Sequence, residues 1–190
     1  MNIKPIMYLD LDETILLYGE PVHNTVSFFH WVLQHFEVRW LTRWCPSGTM
    51  NESQVEYLVK LLKCTPEDIL QCNNPKPFRS SKAEAIDWET DRDWVWVEND
   101  LNSAFPEDGL GFLAQIGKLP KNWRSGKYGV ETRKTQIRHP NYYQTDLCYW
   151  DGKGFYGTWR MHLNVDKPNN AIAKTWKKLA KRFNLPGPTG

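Results

Sequence analysis

Three short strand-like runs constrain this chain more than any other feature: Ile6-Met7-Tyr8-Leu9, Val38-Arg39-Trp40-Leu41 and Trp94-Val95-Trp96-Val97. Each is followed at once by a polar or acidic residue, Asp10, Thr42 or Glu98, and helical periodicity fills the intervals between them. A short apolar run bounded by polar groups suits a strand covered on both faces, as in a parallel sheet. Strands that alternate with helices predict a three-layer α/β/α, Rossmann-like domain with a parallel central sheet. In such sheets ligands bind beyond the carboxyl ends of the strands, which is where the three polar boundaries fall.

The helices between the runs carry their own start signals. Residues 25–36 place Val26, Phe29, Leu33 and Phe36 at helical spacing, with Asn24 or Thr25 available as the cap. Asn51 opens a second helix with Val55, Leu58, Val59 and Leu62 on one face, and Gln54 three residues on completes a capping-box pattern. Thr65-Pro66-Glu67-Asp68 predicts a third, short helix with Thr65 as cap and Pro66 in its first turn. After the loop 73–77 a helix is expected to resume behind Ser80-Ser81 and to run over residues 82–86.

Charge divides the chain in two. Residues 1–117 hold 9 Lys/Arg against 18 Asp/Glu, a net of −9, whereas residues 118–190 hold 15 against 4, a net of +11. The expected organisation is therefore a core over 1–117 and a basic, aromatic-rich extension over 118–190. Residues 121–145 show no clear period. A β-hairpin is predicted on either side of Asp151-Gly152-Lys153-Gly154, and a last helix behind Asn170, with Ile172, Trp176, Leu179 and Phe183 inward and Lys174, Lys177, Lys178, Lys181 and Arg182 outward.

At 190 residues the chain suits one α/β unit with an appendage. No apolar run approaches the roughly 20 residues that span a bilayer, and the amino terminus lacks a signal-peptide pattern, so a cytoplasmic protein without a membrane partner is expected. Cys45, Cys64, Cys72 and Cys148 form no CxxC pair and are expected to be free thiols. The five histidines have no metal-ligand spacing.

Chemistry concentrates at Asp10-Leu11-Asp12-Glu13-Thr14, directly after the first run. Side chains alternate in extended chain, so Asp10 and Asp12 project to one side. Neighbouring carboxylates repel unless a cation neutralises them or a proton is shared, and hard oxygen ligands suit magnesium. This segment resembles the first motif of the haloacid dehalogenase (HAD) superfamily, Asp-x-Asp-x-Thr after an apolar strand. The resemblance continues through Thr42 after the second run, Lys82 in Ser81-Lys82, and Glu98 and Asp100 after the third, and it covers residues 5–102. The family's usual first acid in the last motif is Asp, where this chain has Glu98.

The resemblance implies a magnesium-dependent phosphatase. Asp10 would attack phosphorus to form an aspartyl-phosphate, and Asp12 would protonate the leaving oxygen and later activate water. Thr42 and Lys82 would bind the phosphoryl oxygens, with Arg43 or Arg79 as a further contact. The metal would be held by the Asp10 carboxylate, the Asp12 backbone carbonyl, and either Glu98 or Asp100. Only a small flap over residues 16–22 fits between Asp12 and the first helix, so the core is expected to lack a cap domain. Capless members commonly act on large substrates.

The basic, aromatic extension suits a nucleic-acid partner, and the segment Trp40-Leu41-Thr42-Arg43-Trp44 is loosely similar to HAD domains associated with RNA-repair proteins. The same charge would equally serve to neutralise the acidic core. Three functions follow: a phosphatase on a polynucleotide end or other macromolecular phosphate, a small-molecule phosphatase with the extension as a lid, or an inactive HAD-fold binding module.

Overall fold

A computed structural model of the chain describes residues 3–12, 14–79, 81–98, 142–144, 149–150, 161–162 and 171–188. Along the chain come β1 (Ile6–Leu9), the hairpin strands β2 (Leu16–Leu17) and β3 (Glu20–Pro21), helix α1 (Thr25–His35) and β4 (Glu37–Trp40). There follow α2 (Glu52–Leu62), α3 (Pro66–Leu70), a 3-10 turn (Lys82–Ala85), β5 (Trp94–Glu98), β6 (Tyr142–Gln144), β7 (Tyr149–Trp150), β8 (Met161–His162) and α4 (Ala171–Phe183). The fold is mixed α/β around a parallel sheet of order β4-β1-β5-β6.

That order explains the burial of β1. Its partners β4 and β5 lie on opposite sides, and all four of its residues are buried, as the uninterrupted apolar run predicts. The chain leaves β1 toward β4 and then returns past it to β5. A reversal of this kind opens a crevice at the carboxyl ends of the strands.

β4 alternates instead, with Val38 and Trp40 buried and Glu37 and Arg39 half-buried. Arg39 Nη2 and Arg92 Nη1 each reach the Glu37 carboxylate at 2.6 Å, and Arg92 also donates to the carbonyl of Lys4. A charged outward face of this sort disfavours pairing of an edge strand with another chain.

The caps of α2 and α3 form as their sequences predict. Asn51 accepts from Gln54 N at 2.9 Å while Gln54 Oε1 accepts from Asn51 N at 2.9 Å. Thr65 and Asp68 make the corresponding pair ahead of Pro66. In α1 the buried set is Thr25, Phe28, Phe29, Trp31 and Val32, shifted from the expected Val26, Phe29 and Leu33 stripe. The shift arises because α1 is covered on two sides: Phe29 stacks on Trp40 of β4, whereas Phe28 and Trp31 meet Trp176 of α4. Asn24 makes no side-chain cap; Thr25 Oγ1 instead donates to Ile15 O at 2.7 Å.

The helix expected over 82–86 is a single 3-10 turn, with Ser81 Oγ accepting from Ala83 N. It stops because Asp87 N turns away to Tyr8 Oη at 2.8 Å and the Trp88 indole donates back to Ala83 O. Trp94 and Trp96 are buried packing residues, and Tyr8 and Trp88 both meet Trp94 edge-on.

Within 118–190, β6 lies inside the stretch that showed no period and adds a fourth parallel strand beside β5. β7 and β8 pair antiparallel, as a hairpin requires; the turn residues 151–154 lie outside the described residues. α4 buries Ile172, Trp176 and Leu179 and exposes Lys174, Lys177, Lys178, Lys181 and Arg182. Phe183 meets Phe36 edge-on, Trp31 Nε1 donates to Pro186 O at 2.9 Å, and Asn184 at φ 53 ends the helix. The expected cap Asn170 lies outside the described residues. Cys45, Cys64 and Cys72 are free thiols. Among the described residues no helix is long and apolar enough to cross a membrane.

Candidate active site

The register of β1 against β5 builds the centre of the site. Leu9 stands opposite Val97, so Asp10 and Glu98 follow at the same level, and Asp10 N donates to Val97 O at 3.2 Å. Residues level with one another on adjacent strands point to the same face. Both side chains are buried, Asp10 at 3% and Glu98 at 1% exposure. Two adjacent buried carboxyl groups are costly without a counter-charge.

Lys82 supplies it. The 3-10 turn brings its Nζ to 2.8 Å from Asp10 Oδ1 and 2.7 Å from Glu98 Oε2. Thr14 Oγ1 donates to Asp10 Oδ2 at 2.9 Å, so each oxygen of Asp10 has a donor. The motif's own Thr, four residues after Asp10, thereby fixes the carboxylate's rotation.

Burial pushes the Glu98 carboxyl up to about 8, reinforced by the Asp10 charge and only partly offset by Lys82. For Lys82, burial works downward, yet the Asp10 and Glu98 carboxylates hold the ammonium above its ordinary value. One ammonium does not neutralise two buried carboxylates, so the Asp10–Glu98 pair favours binding a proton or a further cation. Cys45 is pushed up to about 12, by burial first and the Asp10 charge second, which leaves it an inert thiol.

Asp12 is exposed and bonded elsewhere: Trp44 Nε1 donates to its Oδ2 at 2.6 Å. Thr42 is fully buried after β4, and its Oγ1 accepts from Trp44 N at 3.4 Å. Trp44 thus stands between Thr42 and Asp12. Arg43 and Arg79 are exposed. Asp100 lies outside the described residues.

The expected flap over 16–22 is a two-residue hairpin in which Leu16 pairs with Pro21 and Leu17 with Glu20. Tyr18 and Gly19 form its turn at φ 51 and 81, the positive values that a tight turn between twisted strands requires. Tyr57 Oη of α2 donates to Gly19 O at 2.7 Å and ties the flap down.

Of the residues expected to act, the structure therefore joins Asp10, Lys82 and Glu98 directly and places Asp12 and Thr42 on either side of Trp44. Sequence reasoning missed Thr14 and Trp44 as parts of the site. Thr14 was signalled by its place in the Asp-x-Asp-x-Thr motif, whereas nothing in the sequence marked Trp44 beyond its nearness to Thr42. Among the described residues no group of three His, Cys, Asp or Glu side chains is close enough to hold a metal ion.

In chemical terms the site offers a buried carboxylate oriented by two donors, a lysine beside it and an exposed carboxyl two residues on. A carboxylate, a lysine beside it and a second carboxyl group at one strand end are groups that acyl or phosphoryl transfer to a carboxylate can use. The chain matches no family model, no curated protein and no solved structure.

Proposed function

We propose that the chain is a magnesium-dependent phosphohydrolase of the HAD type that works through an aspartyl-phosphate. In this reading the fold is that superfamily's three-layer α/β/α arrangement, with residues 118–190 as an extension. The observation that carries the proposal is the convergence of Asp10, Thr14, Lys82 and Glu98, from three separate segments of the chain, at the carboxyl end of a central parallel strand. Each comes from a segment that the resemblance matches to one of its motifs.

An Asp10 oxygen forms the bond to phosphorus while the phosphorus–leaving-oxygen bond breaks, and the departing electron pair takes a proton from the Asp12 carboxyl. Water then attacks the phosphorus of the acyl phosphate and yields its proton to Asp12, releasing inorganic phosphate and regenerating Asp10. Lys82 stays beside Asp10 throughout and offsets phosphoryl charge, and Thr42 is the candidate donor on the β4 side.

Magnesium would find hard, buried oxygen ligands in Asp10 and Glu98, in place of the contact that Lys82 makes to Glu98. The set that the resemblance implies is the Asp10 carboxylate, the Asp12 carbonyl and one acid of the last motif, Glu98 or Asp100. When bound, the ion shields the carboxylate nucleophile from an anionic substrate.

A macromolecular phosphate, such as a polynucleotide end, is the substrate class we favour. The flap is a turn between two-residue strands and encloses little, and α4 turns five cationic side chains to solvent. The deciding assay is magnesium-dependent phosphate release from an aryl phosphate, for the wild type beside Asp10→Asn. Release that requires magnesium and is lost in the variant supports the proposal; no release and no magnesium binding leave an inactive binding module. End-phosphorylated RNA or DNA should then be hydrolysed in preference to mononucleotides, with affinity that falls steeply with salt. Preference for mononucleotides would reassign the enzyme to small molecules.

A further inference from the structure

We infer that Trp44 is a positioning residue for Asp12: its indole N–H fixes the orientation of the carboxyl group that exchanges the proton. The inference rests on the phosphohydrolase reading of the same site. An exposed carboxyl group ordinarily samples several rotamers, and Asp12 is exposed. A 2.6 Å bond from Trp44 Nε1 to Oδ2 selects one of them. An indole nitrogen donates and never accepts, so the bond always runs in one direction and leaves Oδ1 to carry the proton.

Trp44 is itself held from four sides, which is more than packing alone demands. Its N–H reaches Thr42 Oγ1, its carbonyl accepts from Gln54 Nε2 at 2.7 Å, its ring meets Tyr57 at a centroid distance of 5.8 Å, and its indole bonds Asp12. Gln54 belongs to the capping box of α2, so the carbonyl contact ties Trp44 to the start of a helix. Tyr57 in turn bonds the flap at Gly19, where a Cβ would stand 2.8 Å from Tyr57 Oη. The flap, α2 and the β4 loop therefore converge on one indole, and that indole ends on Asp12.

A role in positioning the proton donor has a signature that a general structural role lacks. An activated aryl phosphate expels its leaving group with little help from a proton, whereas an alkyl phosphate needs one. General acid catalysis contributes ~10²–10⁴-fold, so misplacing the acid should cost a sizeable part of that on the poor leaving group alone. Trp44→Phe keeps a ring against Tyr57 and deletes only the donor.

For this variant kcat/KM on an alkyl phosphate, which reports the step that expels the leaving group, should fall by roughly 10–100-fold, with kcat/KM on an activated aryl phosphate changed by less than about 3-fold. Added to Asp12→Asn, the same substitution should cost nothing more. Trp31→Phe removes an equivalent indole bond, to Pro186, and should show no dependence on leaving group. Equal losses on both substrates, or none, overturn the positioning role while the phosphohydrolase reading stands. No turnover by the wild type overturns both. Should Trp44→Phe fail to fold, the Trp44 indole N–H resonance decides: the inference requires it to shift in Asp12→Asn far more than in Asp10→Asn, and an unchanged resonance overturns it.

Discussion

Asp10 and Glu98 leave adjacent parallel strands at the same level, so two buried carboxyl groups face one another, and one lysine from a third segment lies within 2.8 Å of both. The strand pairing thus creates an electrostatic demand that only Lys82, among the described cations, meets by direct contact.

Replacing Lys82 by Met should expose that demand. Removing one partner of a buried ion pair costs about 3–5 kcal/mol, because the remaining charge has no compensation. Urea unfolding in the presence of a chelator should show this loss. Millimolar magnesium should restore more stability to Lys82→Met than it adds to the wild type, since a cation between the carboxylates replaces the ammonium. Equal effects of magnesium on both proteins would argue against a metal site at Asp10 and Glu98.

The loop that carries Thr42 and Trp44 depends on Gly48. This residue sits at φ 87, and a Cβ there would lie 2.0 Å from Asn74 O, which is backbone and has no easy retreat. Gly48 N also bonds Cys45 O, and Asn74 N bonds Gly48 O at 2.8 Å. Gly48→Ala combines left-handed strain with a steric clash, each on the order of 1–3 kcal/mol. Thermal unfolding should register a drop of several degrees, together with weakened turnover if the loop is displaced.

Acid should weaken the sheet edge. Burial pushes the Glu37 carboxyl up, but hydrogen bonds and charge from Arg39 and Arg92 outweigh it and hold it below its ordinary value. A carboxyl with a lowered folded pKa stabilises the fold above its unfolded value of 4.5 and loses that contribution as pH falls through the folded value. Stability measured below pH 4.5 should therefore decline less steeply in Glu37→Gln than in the wild type. Glu37 is partly exposed, so the difference is expected to be small and to shrink in high salt.

Much of this arrangement was legible in the residues. β1 could be read because burial on both faces demands an unbroken apolar run, and the capping pairs of α2 and α3 because their bonds are local. Asp10 and Glu98 were legible because each ends an apolar strand, whereas the contact of Lys82 with both was not, since it joins segments 72 and 16 positions apart. The buried stripe of α1 was not, since it answers to α4, whose contact depends on tertiary folding rather than on period. β6 escaped notice because three residues in a polar stretch carry too little pattern to mark a strand. Trp44 escaped because an aromatic beside a strand ordinarily signals packing, and its hydrogen bond to Asp12 spans 32 positions.

The strand order β4-β1-β5 also governs when the site can come into existence during folding. Asp10 and Lys82 are 72 positions apart, and β5 must insert beside β1, on the side away from β4, before Glu98 arrives. Local structure in the first third of the chain can assemble Asp10 with Thr14 and the flap, but it leaves the carboxylate facing neither lysine nor glutamate. A nascent or partly unfolded molecule thus lacks the contact of Lys82 with Asp10 and Glu98, and the pairing of β5 with β1 is the step that completes it.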